Sequence, residues 1–78
     1  MRRARRVVSA TIRTRAGTSE ELVATTLRAH GIRIEGRQTF DHEQDRTFEL
    51  KLSGPSRQFD LATAALLARD DVYGVHLD

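Results

Sequence analysis

Near the start of the chain Val8, Ala10 and Ile12 alternate with Ser9, Thr11 and Arg13. A period of two sends successive side chains to opposite faces, so this stretch predicts a half-buried strand. Arg15-Ala16-Gly17 interrupts it. Thr18-Ser19-Glu20-Glu21 then has the form of a capping box, the Thr18 hydroxyl accepting an N–H three residues on and Glu21 reaching back. Leu22, Val23, Thr26, Leu27 and Ala29 or His30 recur at three- and four-residue spacing. Gly31 stands where a left-handed cap ends a helix. The spacing predicts a helix over 19–30.

Ile32 and Ile34 open a second alternation that weakens toward Phe40, and Asp41-His42-Glu43-Gln44-Asp45 reads as a turn. Phe48, Leu50 and Leu52 alternate with Thr47, Glu49 and Lys51, the clearest strand in the chain. Ser53-Gly54-Pro55-Ser56 predicts its end, with Ser or Pro starting the next helix. Phe59, Ala62, Ala65 or Leu66, and Arg69 carry the helical period, and Asp70-Asp71 closes that helix against its dipole. Val72, Tyr73, Val75 and Leu77 form a last short strand around Gly74.

The order is β-α-β-β-α-β in two halves of similar length. Right-handed crossovers put both helices on one face of a four-stranded antiparallel sheet. The predicted class is α+β, a ferredoxin-like, ACT-like sandwich. Its expected core is Val8, Ala10, Ile12, Leu22, Leu27, Ile32, Ile34, Phe48, Leu50, Leu52, Phe59, Leu66, Val75 and Leu77.

Charge changes this picture at one end. The 78 residues carry a net charge of +2, yet Arg2, Arg3, Arg5 and Arg6 are four of the thirteen basic residues, with no acid among them. Without residues 1–6 the remainder has nine basic and eleven acidic residues, a net of −2. The expected organisation is a basic segment, 1–6, followed by a single domain, 7–78. There is no cysteine, so disulfides and thiolate metal sites are excluded. Apolar runs such as Ala64–Ala68 fall far short of the ~20 residues of a membrane span, and Val7-Val8 soon gives way to polar residues, unlike an export signal. The chain as it stands is expected to be soluble.

Candidate chemistry is sparse. Ser9, Ser19, Ser53 and Ser56 lack a local partner pattern, and His30, His42 and His76 fall on a helix end, a turn and a strand. No catalytic set or cofactor site is expected. Asp41, Glu43 and Asp45 are the one dense group of oxygen ligands, weak candidates for a cation such as Mg²⁺, although hairpin turns are commonly acidic. Gly17 alone does not make a phosphate loop. RNA-binding domains of this topology stack bases on sheet aromatics. Here the outward residues of the first and third strands, Val7, Ser9, Thr11, Arg13, Thr47, Glu49 and Lys51, include no aromatic. Nucleic acid is therefore not an expected partner.

Two resemblances bear on the order of elements. ACT regulatory domains share it and bind amino acids near the first strand–helix loop. Their usual Asp-x-Pro-Gly is here Arg15-Ala16-Gly17-Thr18, without the Asp or the Pro. The whole chain resembles the C-terminal domain of the MgtC/SapB family of bacterial membrane proteins. The likeness rests on the order of Arg5–Ile12, His30-Gly31-Ile32, Arg46–Leu52 and the closing Asp70–Leu77, in which Leu77 stands where an aromatic is common.

That resemblance implies a non-catalytic cytoplasmic domain of an inner-membrane protein required for growth at low magnesium and for survival in macrophages. It also makes Arg2, Arg3, Arg5 and Arg6 a collar at the membrane surface. Another membrane or regulatory protein would be the partner, with a homodimer as a further option. The alternatives are a stand-alone ACT-like small-molecule sensor and a nucleic-acid-binding ferredoxin-like domain.

Overall fold

A computed structural model describes residues 5–78. Its elements run β1 (Arg5–Arg15), α1 (Glu20–Ala29), β2 (Arg33–Asp41), β3 (Asp45–Pro55), α2 (Gln58–Leu67) and β4 (Val72–Leu77). The sheet is antiparallel throughout in the order β2-β3-β1-β4, with both helices on one face, the predicted α+β sandwich. The alternation explains this arrangement. Val8, Ala10, Ile12 and Thr14 on β1 and Phe48, Leu50 and Leu52 on β3 are buried, while their neighbours Ser9, Thr11, Arg13, Glu49 and Lys51 are exposed. Central strands covered on one face only read as in/out alternation.

The core adds Val23, Ala24, Ala62 and Val72 to the expected residues and loses Leu22, which is 50% exposed. Leu22 and Val23 both fit the helical period. The burial of Val23, Ala24 and Leu27 fixes which side of α1 faces the sheet, and Leu22 lies off it. Ile34, Val75 and Leu77 are only partly buried, at the margin of the core.

Four boundaries differ from the sequence pattern. The helix cap is Ser19, whose hydroxyl accepts the Leu22 N–H, so the capping box anchored on Thr18 does not form. Thr18 turns inward, its Oγ1 donating to the Arg15 carbonyl at 2.8 Å. β3 runs on through Ser53-Gly54 to Pro55, because β1 extends back to Arg5 and supplies partners for both residues. Two of the six residues of the expected basic segment, Arg5 and Arg6, thus belong to the sheet. α2 starts at Gln58 after Arg57, neither at Ser nor at Pro.

Two glycines explain how the layers close. Gly31, at φ +72°, ends α1: its N–H bonds the Arg28 carbonyl and that of Ile32 bonds the Leu27 carbonyl, a complete Schellman motif. Gly54 lies under that corner, where a Cβ would stand 3.3 Å from the Gly31 carbonyl oxygen and from Ile32 Cγ1.

Candidate functional site

The end of the sheet where β1 passes into α1 holds the densest polar cluster. Arg15 to Thr18 form a tight turn, the Thr18 N–H bonding the Arg15 carbonyl, with Gly17 at φ +79°. A positive φ at the third position is the demand of a type II turn, and glycine meets it without strain. Arg46, from the start of β3, donates to the Thr18 carbonyl at 2.8 Å and grips Asp41 through Nε and a second nitrogen, at 2.5 and 3.2 Å. The Arg46 carbonyl in turn accepts from the buried Thr14 hydroxyl at 2.9 Å. Beside this, Glu20 accepts from Arg37 and, at 3.0 Å, from Thr39.

These bonds set the charges. Hydrogen bonds from Arg37 and Thr39 hold the Glu20 carboxyl below its ordinary range. The Arg46 guanidinium does the same for Asp41, and Asp41 raises Arg46 reciprocally. These polar groups satisfy one another, which makes the corner a fastening between β1, β2, β3 and α1. The signal for it was thin in sequence: Arg46 and Thr18 are 28 residues apart.

The candidate cation ligands do not converge. Asp41 is taken by Arg46, Asp45 lies 3.9 Å from Arg13, and Glu43 is exposed in the turn. Among the described residues no three His, Cys, Asp or Glu are placed to hold a metal ion. The histidines are also apart. His30 Nδ1 lies 2.9 Å from the Thr26 carbonyl, which makes it a donor closing α1. His76 meets Asp78, and His42 sits exposed in the hairpin turn.

Of the four candidate membrane-surface arginines, Arg2 and Arg3 lie outside the described residues. Arg5 and Arg6 occupy adjacent strand positions opposite Pro55 and Gly54, so the pleat sends them to opposite faces. Arg6 lies over the Phe59 ring, 5.8 Å from its centroid, on the helix side.

The uncovered sheet face differs from expectation in one respect. β2 breaks register between Ile34 and Gly36. A bulge shifts the following residues by one, so Phe40 pairs with Thr47 on the open face and is 42% exposed. Tyr73, beside a register break on β4, lies 5.6 Å from Arg13 on the same face. The face therefore has an aromatic on each edge strand, although β1 and β3 have none. Beside the row of Phe40, Thr47 and Arg13, a shallow trough of about 340 Å³ crosses β2, β3 and β1, lined by Ser9, Thr11, Gly36, Gln38, Glu49 and Lys51. Gly36 within a strand was the available sign of the bulge.

By sequence, neither a protein-family model nor a curated protein matches the chain. Solved structures do match its fold. The C-terminal domain of the MgtC protein from Mycobacterium tuberculosis aligns with a TM-score of 0.73 and 18% identity, covering 92% of this chain and 84% of that one. An ACT domain from the GTP pyrophosphokinase of Chlorobium tepidum aligns at 0.72 and 9% identity, over 95% and 86%. A homoserine dehydrogenase from Thiobacillus denitrificans aligns at 0.77 and 20% identity over 95% of this chain, which spans only 17% of the enzyme. At these identities the likeness is one of fold. No helix among the described residues is long and apolar enough to cross a membrane.

Proposed function

We propose that the chain is a non-catalytic regulatory and interaction domain of an MgtC-type membrane protein, carried on the cytoplasmic side of the inner membrane. In this reading the whole protein serves growth in low magnesium and survival in macrophages. The observation that carries it is the match to the MgtC C-terminal domain over nearly the full length of both chains.

The arginines fit this reading in a modified form. Arg5 and Arg6 already belong to β1, a strand between β3 and β4 in the sheet order, so these two arginines are fixed to the folded domain. Each arginine near an anionic surface contributes ~1 kcal/mol, enough to orient a tethered domain. A membrane or regulatory protein is the proposed partner.

The coding DNA upstream of Met1 tests the proposal. Several apolar runs of ~20 residues there support it, and a native start at Met1 overturns it. A second reading, a small-molecule sensor, is favoured by the likeness to the ACT domain. It would use the exposed Ala16-Gly17 backbone, since Thr18, Glu20 and Arg46 are engaged with one another. Thermal stabilisation by a single amino acid would select that reading.

A further inference from the structure

The outward side of α2 is apolar, unlike that of α1. Phe59, Ala62 and Leu66 face the core, yet Leu61 and Leu67 on the other side are 57% and 49% exposed, with Ala64 and Ala68 exposed beside them. At 100° per residue, Arg57, Leu61, Ala64 and Ala68 fall close to one line along the helix, with Asp60 and Leu67 both along one side of it.

The ends of α2 carry the second observation. Arg57, a cation, occupies the N-cap and makes no side-chain capping bond, while the last turn has no basic residue. Asp70 and Asp71 follow the C-terminal end. A helix favours anions at its N-terminus and cations at its C-terminus, so Arg57 opposes the dipole at a start that Asp60 otherwise suits, and Asp70 opposes it at the end. Arg69 compensates Asp71 through two hydrogen bonds. Asp70 stays 96% exposed, its carboxylate in a loose 3.8 Å pair with Arg15, which also donates to the Asp70 carbonyl at 3.4 Å, and among the described residues Arg57 forms no ion pair.

We propose that the outward face of α2 docks on the same face of a second copy of this chain, the two helices antiparallel and crossing at Ala64. In that register Leu61 of each copy meets Leu67 and Ala68 of the other, and alanine at the crossing lets the backbones approach. Arg57 of each copy reaches the C-terminal end of the other α2 and its Asp70, so that Arg57 gains a partner of the right sign and Asp70 one beyond its loose pair with Arg15. The two-fold arrangement is self-complementary, as a closed dimer requires.

The area sets the strength. α2 is ten residues, about 15 Å long. Its face is much smaller than the ~800 Å² per partner of a stable interface. The dimer is accordingly weak and fills where copies are concentrated, as by a common tether. The inference stands on α2 alone and goes beyond the proposed function.

Sedimentation of the 78-residue chain over a concentration series tests it. The expected result is a reversible monomer–dimer equilibrium at high concentration. R57D and D70R each weaken it roughly fivefold, two exposed ion pairs being lost per dimer, and the R57D/D70R double variant recovers it. L61D removes it. R57D places an acid at the N-cap and therefore stabilises the monomer, so its loss of dimer is distinguishable from unfolding. Three results overturn the proposal: a monomer up to the solubility limit, a dimer indifferent to both charge changes, or a monomer that floats with anionic vesicles through Leu61, which assigns the face to lipid.

Discussion

Arg46 donates to the Thr18 carbonyl at 2.8 Å, and so the hairpin between β2 and β3 is tied to the residue just before the α1 cap. Replacing Arg46 with Met removes that bond and the fork on Asp41 together. The expected result is a lower melting temperature, with faster hydrogen exchange at amides 16–19 than elsewhere. Arg46→Lys keeps the charge without the planar fork and should fall between. Unchanged exchange at the turn would mean that Arg46 does not hold it.

Gly54→Ala should destabilise the fold by about 1–3 kcal/mol, the usual cost of overpacking. The new Cβ meets a backbone oxygen, that of Gly31, which has little freedom to retreat. Denaturant unfolding measures the change.

Gly31→Ala tests a different cause. Nothing lies within 4 Å of a Cβ there, so space is not limiting. The φ of +72° alone should cost about 1–2 kcal/mol, and Gly31→Asn should cost less because asparagine tolerates that region. Equal losses for Ala and Asn would point to some other contact at the cap.

Acid should weaken the fold through three carboxyls. Glu20, Asp41 and Asp71 are held below ordinary values of 4.5, 3.8 and 3.8, chiefly by hydrogen bonds from Arg37, Arg46 and Arg69 respectively. A depressed folded-state pKa gives stability that is fully present above the unfolded value and is lost as pH falls through the folded one. Unfolding free energy should therefore hold steady down to about pH 5 and decline below it. Glu20→Gln should flatten part of that decline, and an unaltered acid limb would show that the Arg37 contact contributes nothing.

The layout of strands and helices is written in the alternations of Val8–Ile12 and Phe48–Leu52, because these positions are decided locally by which face is covered. Finer choices depend on packing that sequence spacing does not specify. Leu22 and Val23 have equal claim to a helical stripe, and only the docked angle of α1 selects Val23. Val23→Ala should accordingly cost about 2 kcal/mol, and Leu22→Ala about 0.5 kcal/mol or less. The Arg46 corner was illegible for another reason: its members come from β1, α1, β2 and β3, and no local pattern marks them. Phe40 and Tyr73 reached the open face through register breaks, of which Gly36 and Gly74 within their strands were the written traces.

β1 has its two neighbours in β3 and β4, the third strand and the last. Of the strands of this domain it is the first to be synthesised, with Val8, Ala10 and Ile12 along one side, and neither of its sheet neighbours yet exists. Its full ladder with β3 needs Pro55, some forty residues after Arg15, which at ribosomal rates is ~2–8 s. The strand made earliest is thus among the last to be completed, and for that interval the nascent chain exposes its stickiest edge.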